Sequence, residues 1–134
     1  MTVLVRWLVV GVAVVSLVNA VWIFGSVAHW FQWIPGVSDT GEPNDHFVRD
    51  VGLVYGLFGG ALIWVLRAPM QRHAVFVLAA LFYLGHALGH VAEILLGALP
   101  PDHWLIDLPL VFFPGAVLGV LALPGVWRRV FSDG

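Results

Sequence analysis

The chain has 134 residues, of which 60% are apolar and only 10% are charged, and its mean hydropathy is +0.95. These values are typical of integral membrane proteins and outside the range of most soluble ones. The absence of cysteine excludes disulfides, thiolate metal ligands and a cysteine nucleophile, and a net charge of −2 without clustered basic residues argues against binding to nucleic acid.

Four long apolar runs follow one another along the chain, each near the ~20 residues that a helix needs to cross a bilayer. The sequence therefore predicts an all-α protein, a four-transmembrane-helix bundle that forms a single integral membrane domain over residues 1–134. The predicted helices cover about residues 7–27, 47–66, 74–99 and 102–126, and an outer loop covers about residues 28–45.

The first helix and the loop after it carry the first polar signals. Ser16 and Asn19 lie deep in the helix, where their side chains are expected to form interhelical hydrogen bonds. The loop opens with HWFQW, which is typical of the aromatic belt at a membrane interface, and continues with a segment rich in Pro, Gly, Ser and Asp. We expect this segment to fold over the outer mouth of the bundle, where it could act as a lid above a lipophilic ligand.

The second helix begins with NDHFVRDVGLVYG, in which Asn44 is the predicted N-cap. His46 and Asp50 are four residues apart and therefore share one face at the outer end of the helix. Arg49 lies beside them, and Tyr55 lies about a turn and a half deeper.

The third helix contains LGHALGHVAE, which brings three titratable residues into an apolar segment. His86, His90 and Glu93 are spaced by four and then three residues and so lie on one helical face. Such residues are costly in a membrane unless they face the bundle interior and find a partner. The two histidines are predicted either to bind a ligand or move a proton, or to make structural hydrogen bonds between helices.

The fourth helix opens with PPDHWLIDLP, where His103 and Asp107 are again four residues apart. Three helices thus bring titratable pairs to the same level on the same side of the membrane. Whether His29, His103 and Asp107 join the site is left open by the sequence.

Orientation follows from the arginines, because the chain has no lysine and positive residues favour the cytoplasmic side. Five of the six arginines fall at the two ends of the chain or in the second connection, which lie on one side of a four-span bundle. They are Arg6, Arg67, Arg72, Arg128 and Arg129. Both termini are therefore predicted to be cytoplasmic in a bacterial-type cytoplasmic membrane, with the titratable cluster towards the extracytoplasmic side.

The cluster predicts a transition-metal site, since histidine and carboxylate ligands suit zinc, iron or copper(II). Tyr55 and Tyr83 are the residues expected to contact a cofactor. Glu93, Asp50 and Arg49 are the predicted catalytic residues, the carboxylates as ligand or general base and the arginine as a clamp for an anionic group. The predicted metal ligands are His46, Asp50, His86, His90 and Glu93.

The favoured function is a membrane metalloprotein that acts on a lipophilic small molecule, as a metal-dependent oxidoreductase or hydrolase. One alternative is a haem b or quinone electron-transfer protein, with axial histidines from different helices. The other is a non-catalytic subunit of a larger membrane complex. The expected partners are the lipid bilayer, a lipophilic molecule or quinone, and a second copy or a larger complex, with no nucleic acid.

The segment HFVRDVGLVYGL, together with the chain length and the four spans, resembles small bacterial four-helix membrane proteins of the broad DoxX-like kind. The resemblance covers the overall layout and one short motif. It implies a helical bundle but no particular reaction, and the HALGH element is not part of it.

Overall fold

The computed structural model describes residues 3–131, and within this range the chain is helical and has no β-strand, which confirms the all-α class. The described residues form seven α-helices: α1 (Val3–Gly25), α2 (Val27–Trp33), α3 (Asp45–Val65), α4 (His73–Leu95), α5 (His103–Ile106), α6 (Phe113–Ala122) and α7 (Pro124–Phe131). Two 3-10 turns cover Val37–Thr40 and Met70–Arg72, and a π-helix covers Leu108–Phe112.

Three segments are long and apolar enough to cross a membrane: α1, α3 and the stretch Met70–Leu95 that contains α4. A fourth candidate consists of Leu108–Ala122 and α7, which meet at an angle of 84°. Many large apolar side chains are exposed on these helices, among them Leu53, Leu57 and Leu81. Such extensive apolar exposure is unusual for a soluble monomer and fits contact with lipid.

The helices pack as a row in the order α1, α3, α4, α6, in which α1 and α6 make little contact with each other. Glycines allow the close approaches. A Cβ atom at Gly59 of α3 would lie 3.0 Å from the Ala13 carbonyl oxygen of α1, and one at Gly115 of α6 would lie 2.9 Å from the Tyr83 carbonyl oxygen of α4. The row therefore consists of two closely packed pairs, α1 with α3 and α4 with α6, joined where α3 meets α4.

The main core lies towards one end of the helix axes. We call it the arginine end because Arg67, Arg72 and Arg128 are there. Trp127 and Phe131 of α7 are buried against Phe76 of α4 at this end, within a cluster that also draws on α1, α3 and α6. The opposite end, which we call the site end, carries α2, α5 and the turn Val37–Thr40.

Three local predictions from the sequence are confirmed. The Asn44 side chain caps α3 by accepting hydrogen bonds from the backbone N–H groups of His46 (3.1 Å) and Phe47 (3.2 Å). Ser16 hydrogen-bonds through its hydroxyl to the Tyr83 hydroxyl of α4 at 2.5 Å. Asn19 accepts a hydrogen bond of 2.6 Å from the indole N–H of Trp30, which holds α2 against α1.

The predicted outer loop contains more helix than the sequence indicates. The first third of the range 28–45 belongs to α2, which begins after a break at Ser26. Ser26 has extended backbone angles, and its side chain accepts a hydrogen bond from the His29 N–H, as an N-cap residue does. The chain thus leaves α1, turns, and continues as a short helix across the site end.

The predicted helix over 102–126 is divided into four parts, because prolines interrupt its hydrogen bonds. At Pro109 and Pro114 no backbone N–H is available, and in the π-helix that contains Pro109 the Phe112 N–H reaches the Asp107 carbonyl oxygen five residues back at 3.0 Å. Leu123 is extended because it precedes Pro124, and α7 turns away from α6 at this point.

Candidate metal centre

Asp107 is the centre of a polar cluster at the site end. It follows α5 and starts the π-helix, and its side chain is buried at 5% exposure. The carboxylate oxygen Oδ2 accepts hydrogen bonds from Nδ1 of His90 on α4, at 2.7 Å, and from Nδ1 of His103 on α5, at 2.9 Å. Two imidazoles from separate helices therefore converge on one carboxylate oxygen.

Asp39 completes the cluster from the turn Val37–Thr40. Its Oδ2 atom lies 3.2 Å from Nε2 of His103, so the His103 ring is held between two carboxylates. Gly36 contacts the same ring, since a Cβ atom there would lie 2.7 Å from His103 Cε1, and its φ of +80° is one that glycine adopts without strain. His103 itself is 1% exposed.

The protonation state of His103 follows from these contacts. An ionised carboxylate can only accept hydrogen bonds, so contacts to a carboxylate at both ring nitrogens favour the doubly protonated ring. Burial alone would lower the pKa of His103, but its hydrogen bonds to Asp107 and Asp39 and their negative charges outweigh burial and raise this pKa above its usual value. The residue precedes the candidate span that begins at Leu108.

The geometry of the cluster suits a metal ion. One ligand atom from each of His90, His103 and Asp107 lies within 4.8 Å of the other two. Zinc binds imidazole nitrogen and carboxylate oxygen at about 2.0–2.2 Å, so ligand atoms of a tetrahedral site lie about 3.3–3.5 Å apart. The two nitrogen–oxygen contacts would need to lengthen by about 0.4–0.8 Å to admit the ion in place of the shared protons.

Asp39 is placed as a support for such a site. A histidine that binds metal through one ring nitrogen usually donates the N–H of the other to a carboxylate, which fixes its tautomer and orientation. With His103 Nδ1 on the metal, His103 Nε2 would donate to Asp39 in this way.

Three predicted residues line a cavity next to the cluster. The ring of His86 lies 4.6 Å from that of His90 and 6.3 Å from that of Tyr55, measured between centroids. Tyr83 is buried and lies 6.3 Å from Tyr55 by the same measure. His86 therefore neighbours His90 but is not one of the three residues whose potential ligand atoms converge.

The other predicted site residues lie apart from this cluster and are exposed. His46 Nε2 and Asp50 Oδ2 are 3.6 Å apart, with side chains that are 85% and 58% exposed. Arg49 pairs with Asp45 at 3.5 Å, and Glu93 is exposed near the end of α4. Their roles as ligands or catalytic groups stay predictions.

The remaining histidines have other contacts. His29 Nδ1 accepts a hydrogen bond of 2.8 Å from the Trp22 indole, on an exposed surface of α2. His73 lies at the arginine end, where its Nε2 hydrogen-bonds to the Ala122 carbonyl oxygen at 3.0 Å. Neither residue belongs to the cluster.

The cavity beside the cluster has a volume of about 700 Å³ and lies between α1 and the segment 106–114. Side chains of α1, α3, α4 and α6 line it, most of them apolar. The lining includes His86, His90, His103 and Asp107, together with Tyr55 and Tyr83. The group formed by His90, His103 and Asp107 therefore faces an apolar cavity of a size typical of small-molecule sites.

Sequence reasoning identified one member of the cluster, His90, and left His103 and Asp107 open. Their i, i+4 spacing at the start of the last helix was the available signal. Asp39 gave no signal, because it lies in a segment without periodicity and reaches His103 across 64 positions of the chain.

Fold and site together define a helical protein with membrane-type helices and a His/Asp group that could hold a metal ion. Comparison of the chain with protein-family models, with curated proteins and with solved structures finds no match. The DoxX-like resemblance accordingly rests on the short motif and the layout quoted above.

Proposed function

We propose that the chain is an integral membrane metalloprotein that binds one divalent transition-metal ion through His90 Nδ1, His103 Nδ1 and a carboxylate oxygen of Asp107. The observation that carries this proposal is the convergence of the three groups, from α4, α5 and the start of the π-helix, within 4.8 Å in a largely buried position. Buried histidines and carboxylates in apolar surroundings are costly unless they are paired or bind a cation.

The donor set narrows the choice of metal. Two imidazoles and one carboxylate suit zinc, iron(II) or copper(II), whereas the lack of cysteine argues against a site selective for copper(I). Three protein ligands leave at least one coordination position free, and sites of this kind are usually catalytic, since closed structural zinc sites have four protein ligands. In this chain the free position would face the cavity.

The adjoining cavity supports a lipophilic small molecule as the substrate. The metal would supply Lewis acidity, which polarises a bound oxygen group. Asp39 would keep Nδ1 of His103 on the metal by accepting the Nε2–H. His86, whose ring contacts that of His90, is the titratable group best placed to move a proton at the cavity wall. A metal-dependent hydrolase or oxidoreductase is the corresponding class of enzyme.

A haem protein is less well supported by the geometry. Axial histidines must face each other across a macrocycle, whereas the Asp107 carboxylate occupies the space between His90 and His103. A quinone site has the support that Tyr55 and His86 line the cavity. An absorption spectrum distinguishes a haem protein from a quinone site. A Soret band would indicate haem, whereas a featureless visible spectrum would argue against it.

Metal content tests the proposal directly. The protein, purified in mild detergent, stripped with a chelator and dialysed against zinc, should retain about one zinc ion per chain, because the cluster offers one set of three converging ligands. Elemental analysis against protein concentration measures this ratio. A chain that retains no zinc, and no iron(II) or copper(II) after parallel dialysis against those ions, would disprove the metal function.

A separate experiment tests the proposed orientation. A reporter enzyme fused to the C-terminus should be active only in the cytoplasm, because five of the six arginines are predicted to lie on that side. An alkaline phosphatase and β-galactosidase fusion pair makes this measurement. Phosphatase activity of the C-terminal fusion would show that the orientation is the reverse of the predicted one, with the His/Asp cluster towards the cytoplasm.

A further inference from the structure

Because the helices pack as a row, a cleft separates α1, the first helix of the row, from the last segment of the chain that packs in it. Because α1 and α6 make little contact, the cavity of about 700 Å³, which lies between α1 and the segment 106–114, is open along one side. The α1 wall runs from Trp7 to Trp22, and Val14, Val15 and Val18 on this wall are about half exposed. In a membrane this open side would face hydrocarbon, so a ligand could enter sideways from the lipid.

The dimensions of the cleft favour a single hydrocarbon chain. The wall from Trp7 to Trp22 is about 22 Å long at 1.5 Å per residue. An extended hydrocarbon chain can follow a wall of this length, and its apolar surface matches the mostly apolar lining.

The polar groups that line the cleft lie from its site end to about its middle, where Ser16 and Tyr83 hydrogen-bond to each other. His90, His103 and Asp107 form the polar wall at the site end, and His86 and Tyr55 come next. Beyond these the α1 wall continues through Val15, Gly11 and Leu8 to the arginine end. This distribution matches an amphiphile with one polar head group and one long apolar tail.

The charge of the loaded metal site favours a head group that carries a ligating oxygen and no positive charge. A divalent cation with two neutral imidazoles and the carboxylates of Asp107 and Asp39 has no net charge. Such a site accepts an oxygen ligand, from a carboxylate or an ester carbonyl, at its free coordination position. It gives no preference to a cationic head group.

We infer that the cleft between α1 and α6 binds the single hydrocarbon chain of an amphiphile, with a head-group oxygen at the metal held by His90, His103 and Asp107. This inference rests on the proposed function for the head-group contact, while the chain-binding cleft stands on its own geometry. It names the substrate class as long-chain carboxylic acids and their esters.

Photolabelling in a bilayer tests the inference. The zinc-loaded protein in phosphatidylcholine nanodiscs is irradiated with hexadecanoic acid that carries a diazirine at its terminal carbon, with and without excess unlabelled hexadecanoic acid. Mass spectrometry should find label on the α1 wall between Trp7 and Val15, and the excess acid should suppress it. Removal of zinc with a chelator should weaken this saturable labelling, because the head group loses its ligand.

Two glycines provide a matched pair of variants. A Cβ atom at Gly11 of α1 or at Gly60 of α3 would meet no atom within 4 Å, so both positions have open space for a substituent, but only Gly11 lines the cleft. In Gly11→Trp the indole would occupy the path of the tail, and saturable labelling should fall roughly tenfold or more. Gly60→Trp should label like the unmodified protein, and both variants should retain one zinc ion per chain.

Each outcome separates the two proposals. Label that is insensitive to excess acid, or spread equally over the exposed Leu53, Leu57 and Leu81, would overturn the cleft while leaving the zinc ratio as evidence for the metal function. Saturable label on α1 in a chain that binds no metal would support the cleft and reject both the metal function and the head-group contact. A dimer that Gly11→Trp disrupts would identify a second copy of the chain as the occupant and overturn the inference.

Discussion

Replacing His103 with alanine is expected to abolish stoichiometric zinc binding. His103 would supply one of only three protein ligands, and it is also the residue through which Asp39 and Gly36 contact the site. Loss of a supporting hydrogen bond typically weakens metal affinity ~10–100-fold, and loss of a direct ligand should cost more than that. Competition with a chromophoric chelator measures the change in zinc affinity.

Variants of the other cluster residues are expected to lose zinc affinity to different degrees. Asp107→Asn and His90→Ala should each lose zinc as His103→Ala does, whereas Asp39→Asn should lose only ~10–100-fold in affinity, because it acts through His103. His73→Ala and His46→Ala are the controls, since both residues lie outside the cluster. Full zinc content in all three ligand variants, or a loss in His46→Ala as large as in His103→Ala, would refute the ligand set proposed here.

Replacing Gly115 with alanine is expected to destabilise the bundle and weaken the metal site together. The new methyl group would lie 2.9 Å from the Tyr83 carbonyl oxygen and 2.8 Å from the Ala87 Cβ, so α6 would have to move away from α4. Overpacking of this kind typically costs about 1–3 kcal/mol. Since α4 carries His90 and Asp107 directly precedes the π-helix that leads into α6, the same movement should pull the proposed ligands apart.

Gly85→Ala on α4 is the matched control for this variant. A methyl group at Gly85 would meet no atom within 4 Å, so the change should be neutral or should stabilise the helix by up to ~1 kcal/mol, the usual difference in helix propensity. Thermal unfolding in detergent, followed by tryptophan fluorescence, compares the two. Equal stability of the two variants would show that α4 and α6 are not packed through Gly115.

The helices were predictable because their signals are local. Apolar length places α1, α3 and α4 within a few residues of their observed bounds, and Asn44 marks the start of α3 through its own side chain. The division of the last helix was harder to foresee, although its prolines are visible in the sequence. Whether a proline bends a helix, as at Pro124, or is absorbed into a π-helix, as at Pro109, depends on packing against neighbouring helices.

His46 and Asp50 lie apart from the cluster because of the direction in which α3 presents its side chains. At 100° per residue, Asp50 points about 200° away from Gly52. Gly52 packs against Ile23 of α1, so its face of α3 is the buried one. The sequence places His46 and Asp50 in the first turns of α3, as observed, but the direction of their side chains depends on which face of α3 packs against α1.

The third helix was more informative because one of its histidines faces the neighbouring segment. His90 lies seven residues after the buried Tyr83, which returns it to nearly the same side of α4. Its partner Asp107 was visible only as half of an i, i+4 pair, and Asp39 only as one of several acidic residues near the outer loop. Contacts made across 17 and 64 positions of the chain depend on how helices pack, which no local pattern encodes.

The open side between α1 and α6 determines which concentration controls occupancy of the cavity. A compound that reaches the cavity sideways first partitions into the bilayer, so the relevant quantity is its mole fraction among the lipids and not its molarity in water. Apparent affinities expressed in aqueous units would then improve with each added methylene, by about 0.8 kcal/mol for transfer from water, without any better fit to the protein. Titrations at several ratios of lipid to protein are therefore needed to compare ligands of different chain length.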